Sequence, residues 1–205
     1  MKKTLLTTAL ISGAVLGLGA MNSVSAANTN VSKDTEAAAT FTAGGGTEPG
    51  DAGPLSITSA TPSIDFGSNE ISATHQNYLS SSDIDVNVTD LRGTFVGWTV
   101  KVSGTKLMSN EKVPTELKGA TISLPDGVAK TVGDSSEEAK GITASATANV
   151  LDGGASIVAS ADNGTGETTT KYAQADIKLG VGGGLAHAAK YSTTLNWTLV
   201  DGITK

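Results

Sequence analysis

The chain has 205 residues, a formal net charge of -6 at pH 7, no Cys and only 4% aromatic residues. Its acidic balance excludes a general nucleic-acid binder, whose affinity comes mainly from Lys and Arg neutralising phosphates, and gives no unaided attraction to anionic wall polymers. The missing cysteines exclude disulfides, so the hydrophobic core must carry stability alone.

In chain order, Lys2 and Lys3 precede an uncharged apolar run from Leu5 to Ala20, and Val24-Ser25-Ala26 supplies small residues ahead of Ala27. This is the pattern of a secretory signal peptide over residues 1–26, since an apolar run of about 16 residues falls short of the roughly 20 that span a bilayer. Export to the cell surface is the expectation, with attachment left to noncovalent contacts. Residues 27–54 are rich in Ala, Thr, Gly and acidic residues. Too few apolar groups are present to offset the entropy of ordering, which predicts a flexible leader. An edge strand near residues 39–43, anchored by Phe41, is the one ordered piece expected there.

From residue 55 the apolar period is two, the signature of strands with one dry face. Ile84, Val86 and Val88 alternate with Asp83, Asp85, Asn87 and Thr89; Val96, Trp98, Val100 and Val102 share a face opposite Thr99, Lys101 and Ser103. Residues 106–118 carry Leu107, Met108, Val113 and Leu117 and predict one or two helical turns, limited by Pro114. Ile122 and Leu124 lead into the turn Pro125-Asp126-Gly127, and Ile157, Ala159 and Ala161 into a hairpin at Asp162-Asn163-Gly164. Ile177, Leu179 and Val181 precede three glycines and a hairpin loop holding His187, after which Tyr191, Thr193, Leu195, Trp197 and Leu199 continue the alternation. The fold class is therefore all-β, a two-layer β-sandwich or partly closed barrel in one domain spanning residues 55–205.

Two tryptophans stand out in a chain with so few aromatic anchors. Gly97-Trp98-Thr99-Val100-Lys101-Val102 and Tyr191-Ser192-Thr193-Thr194-Leu195-Asn196-Trp197-Thr198-Leu199 resemble the two hallmark motifs of the WxL-domain family of Gram-positive surface proteins. The likeness extends to Ile64-Asp65-Phe66-Gly67, Asp90-Leu91-Arg92-Gly93 and Leu117-Lys118-Gly119-Ala120-Thr121-Ile122, and so covers roughly residues 40 to 200. The first motif departs from the pattern in carrying Val100 where Leu is usual. The resemblance implies noncovalent association with peptidoglycan at the cell wall, alongside a membrane-anchored surface protein and other WxL-family proteins. A structural subunit that binds other surface proteins by sheet-edge or face contacts, through residues 39–43 or 168–173, is the alternative.

Trp98, Val100, Trp197 and Leu199 are accordingly the binding or fold-determining residues. Their strand parity favours the core, whereas a glycan site would use each indole as a stacking platform with Thr99, Asn196 and Thr198 as hydrogen-bonding neighbours. Arg92, the single arginine, is suited to gripping a carboxylate of a peptide stem or, more simply, to pairing with Asp90 or Asp85 at a turn. No nucleophile elbow, Cys nucleophile or zinc-type His spacing is present, and Asp162 to Glu167 lacks the twelve-residue register of a calcium loop. The chain reads as non-enzymatic, with no cofactor and no metal site.

Overall fold

The computed structural model describes residues 37–45, 53–132, 141–164 and 166–203; the expected signal peptide and most of the expected leader lie outside them. The strands are β1 (Leu55–Ala60), β2 (Gln76–Leu79), β3 (Ile84–Asp90), β4 (Trp98–Gly104), β5 (Met108–Ser109), β6 (Thr121–Ser123) and β7 (Val128–Thr131). They continue with β8 (Ile142–Ala144), β9 (Ser156–Ala161), β10 (Gly166–Tyr172), β11 (Lys178–Val181), β12 (Tyr191–Ser192) and β13 (Leu195–Asp201). A single 3-10 turn at Gln174–Asp176 is the only helical element among the described residues.

Two four-stranded antiparallel sheets, ordered β1-β3-β10-β7 and β13-β4-β9-β8, supply the layers. Strand β1 lies beside β13 at one lateral edge and β7 beside β8 at the other, so the layers stack strand over strand. The fold is thus all-β and sandwich-like, without closing into a barrel. Three-stranded β2-β11-β6 and two-stranded β12-β5 complete the pairing. The core follows from parity: Ile84, Val86 and Val88 of β3 pack in one cluster with Trp98, Val100 and Val102 of β4, and Tyr172 with Val158 and Ala161. The buried Tyr172 hydroxyl donates to Val158 O at 2.7 Å, tying the second sheet to the first. Burial raises the Tyr172 pKa, so the phenol stays a proton donor at any physiological pH.

Several local expectations are corrected. No strand forms at residues 39–43, and Phe41 is 93% exposed. The proposed edge at residues 168–173 is instead β10, a central strand between β3 and β7. Its Thr168 and Thr170 are buried, because threonine methyl groups fit a pleated inner face as valine does. On β9 the inward set is Val158, Ala159 and Ala161 rather than one starting at Ile157. A register shift opposite Val100 and Lys101 breaks the period there, as a bulge does by adding one residue to one strand.

Residues 106–118 form no helix. Ser109 N–H donates to Thr115 O at 2.8 Å and Leu117 N–H to Leu107 O at 2.9 Å, an arrangement that buries Leu107 and Leu117 together. Neither glycine-rich loop is a hairpin. Asp162-Asn163-Gly164 carries the chain from β9 in one layer to β10 in the other, and His187 lies between β11 and β12, which belong to different sheets.

Candidate functional site

The two tryptophan motifs meet as neighbours. Antiparallel pairing of β4 with β13 sets Val100 opposite Leu199, Val102 opposite Trp197 and Trp98 opposite Asp201. Both indoles therefore share the inner face, Trp98 at one end of the strand pair and Trp197 farther along it, two positions in from the Gly104 end. Trp98 is only 1% exposed and sits against Gly164, where an added Cβ would collide with Asp90 Oδ2 and come within 2.7 Å of Trp98 Cδ1. Trp197 is half-buried, packed against the core on one side and lining an open cleft on the other.

The remaining polar candidates do not gather around Trp197. Asn196 and Thr198 are exposed on the opposite parity of β13, while Thr99 has no exposed surface and its hydroxyl donates to Gly202 O at 3.0 Å. Arg92 is consumed internally. Its Nε donates to Asp90 Oδ1 at 2.9 Å and its Nη2 to Asp90 Oδ2 and Val96 O, both at 2.7 Å, while Nη1 pairs with Asp201. The partner at Asp90 agrees with the simpler reading of the sequence; Asp201 does not appear in it. This clamp shapes the Leu91–Gly97 bend, in which Phe95 takes a left-handed conformation with φ of 56°.

Burial alone would raise the Asp90 pKa, but the hydrogen bonds and charge of Arg92 outweigh it and hold the carboxyl below its ordinary value. Asp83 is also lowered, first by its hydrogen bond from Lys171 and then by the Gln174 N–H. For a carboxylate depressed in the fold, the unfolded chain takes up protons first, so stability is complete above the unfolded value and falls as pH drops through the folded one. Denaturation midpoints are therefore expected to stay level from neutrality to about pH 5 and to decline below about pH 4, with Asp83→Asn flattening part of the decline.

The cleft has a volume of about 1470 Å³. One wall is the irregular segment after β1, including Ile64, Phe66 and Ile71; the other is the segment leading through Tyr191 to Trp197; Leu117 and Leu179 contribute to the floor. Four of the chain's eight aromatic side chains, Phe66, Tyr78, Tyr191 and Trp197, meet here. The Tyr191 hydroxyl accepts from the His187 N–H at 3.0 Å and the Tyr78 hydroxyl donates to Glu70 O at 3.4 Å, so each ring is steadied by its own backbone. The space exceeds the roughly 300–1,000 Å³ usual for a small molecule and suits a length of polymer. Among the described residues no group of His, Asp and Glu is placed to hold a metal ion. Sequence reading placed Phe66 and Tyr191 in family-like segments but named only Trp197 as a site residue and passed over Tyr78, because only the folded topology brings these distant segments together.

Residues 27–202 match the family described as WxL domain surface cell wall-binding. The match covers most of the chain, which belongs to the WxL family. No curated protein and no solved structure matches it.

Proposed function

We propose that this protein is exported and held at the Gram-positive cell surface by noncovalent contact with peptidoglycan, without catalysing a reaction, and that a glycan strand lies in the aromatic cleft. The carrying observation is the convergence of Phe66, Tyr78, Tyr191 and Trp197 on one open, polymer-sized space. Indole and phenol faces cover the apolar faces of sugar rings without using charge, which suits a chain whose net charge is acidic. Association with a membrane-anchored surface protein and other WxL-family proteins belongs to the same reading.

Purified sacculi should retain the exported chain at moderate and at high salt alike, since screening weakens only charge-based contacts. Trp197→Ala is expected to lower retention about tenfold, a loss of about 1.4 kcal/mol of binding. Its cost to stability should be about 2 kcal/mol, less than for a fully buried indole. Wild-type retention by Trp197→Ala, or release of the native chain by salt, would remove the cleft from the account.

A further inference from the structure

Where β9 crosses to β10 lies the chain's single Asn-Gly dipeptide, Asn163-Gly164, which takes no part in lining the cleft. Asparagine before glycine is the pair most prone to lose its side-chain amide, because a glycine has no Cβ to shield the main-chain nitrogen that attacks it. Space, not conformation, fixes the glycine: a Cβ at residue 164 would collide with Asp90 Oδ2 and come within 2.7 Å of Trp98 Cδ1. The liability is therefore built into the corner that joins the two layers.

The fold engages both reacting groups. The Asn163 amide nitrogen, assigned by its two carbonyl neighbours, donates to Asp162 O and Phe95 O at 3.2 Å each. The Gly164 N–H donates to Val96 O at 3.4 Å. The Asp90 carboxylate lies against the Gly164 Cα, and its negative charge opposes removal of that amide proton. Asn163 itself is exposed, so water reaches it freely; bonding rather than burial guards it. Ring closure requires Asn163 to give up both of its bonds and the Gly164 nitrogen to leave Val96 O, which happens when the corner opens locally.

We propose that Asn163 is a latent deamidation site, guarded by the closed corner and converted when the corner opens, and that conversion bars the corner from closing again. The Gly164 nitrogen attacks Asn163 Cγ; an N–Cγ bond forms, the Cγ–Nδ2 bond breaks, and ammonia leaves with the proton from the attacking nitrogen. Water then opens the cyclic imide at either carbonyl, giving aspartate or isoaspartate. Neither product fits the closed corner. Aspartate turns a carboxylate oxygen toward the Asp162 and Phe95 carbonyl oxygens, so acceptors face acceptors where a donor stood. Isoaspartate also lengthens the main chain by one methylene, next to a Gly164 that has no room beside Asp90 and Trp98. The change runs one way, since chemical conversion of an opened state drains the folded population.

Incubation of the protein at mildly alkaline pH, read by peptide mass mapping and by isoaspartyl methyltransferase labelling, tests both parts. Asn163 should convert in guanidinium and at least about tenfold more slowly in native buffer. Sub-denaturing urea should raise the native rate in step with opening. Protein converted in guanidinium and returned to native buffer should unfold at a lower denaturant midpoint than unconverted protein, and Asn163→Asp should reproduce the part of that shift due to charge alone. Asn163→Gln, whose longer side chain cyclises far more slowly, should keep its own midpoint through the same treatment, which separates this site from damage elsewhere. Equal conversion rates in native and unfolded protein would overturn the guard, and a converted protein that regains the wild-type midpoint would overturn the lock.

Discussion

Trp98→Ala is expected to destabilise the domain by about 3–5 kcal/mol, the range for removing a large aromatic side chain from a close-packed core. The indole is almost fully enclosed, shares the core cluster with Val86, Val88 and Ala161, and covers Gly164 where the chain crosses between layers. A cavity at that corner loosens both sheets at once, because β9 and β10 leave it in different layers. With total stability of a domain at about 5–15 kcal/mol, this loss is a large fraction of the whole. Guanidinium titration followed by the fluorescence of the remaining Trp197 measures it directly. A midpoint close to wild type would mean that Trp98 has no part in holding the layers together. The contrast with Trp197→Ala is the sharper test: one motif residue should matter chiefly for folding, and its counterpart chiefly for retention on the wall.

Arg92→Ala is expected to cost a similar amount, about 3–5 kcal/mol, for a different reason. The Asp90 side chain is only 2% exposed and depends on the bidentate guanidinium for its charge to be tolerated. Removing Arg92 leaves that carboxylate buried without its cation and takes one donor each from Val96 O and Gly97 O, which keep only the N–H groups of Gly164 and Gly202. Arg92→Lys should recover only part of the loss, since an ammonium cannot reproduce a planar fork. The double replacement Asp90→Ala with Arg92→Ala should be milder than Arg92→Ala alone, because the unpaired charge is gone. The penalty of Arg92→Ala should also shrink as pH falls, since burial then raises the Asp90 pKa against only the residue 92 N–H, and protonation favours the fold. Denaturation of the four proteins at two pH values tests each step; an Arg92→Ala protein within about 1 kcal/mol of wild type would show the clamp to be dispensable.

Much of this architecture is legible in residue order. The alternation of Ile84, Val86 and Val88, and that of Trp98, Val100 and Val102, gives the two central strands and their dry faces. The resemblance of the two tryptophan segments to a known surface family agrees with the family match over residues 27–202. What strand parity cannot convey is how far the facing layer extends. Trp197 has the same parity as Leu195 and Leu199, and all three are half-buried, because β13 is an edge strand and part of its inner face opens on the cleft. Similarly, Asn-Gly at residues 163–164 signals a tight reversal but not that the next strand joins a different sheet. The apolar spacing of residues 106–118 fits a helix, yet Pro114 lacks an N–H, and Leu107 and Leu117 become cross-neighbours in a loop. Asp201 as a partner of Arg92 bridges 109 positions, a separation that no local pattern reports.

That separation also sets an order of events. Strand β4 has β13 as one of its two neighbours, and the Arg92 clamp has its second carboxylate there as well. A ribosome delivers the N-terminal part first. Until Leu195 to Asp201 emerges, Val100 and Val102 lack their cross-strand neighbours Leu199 and Trp197, so the sandwich latches only with its closing segment. A polypeptide that cannot latch early stays open along most of its length, and it becomes a finished body only when its last described strand is in place.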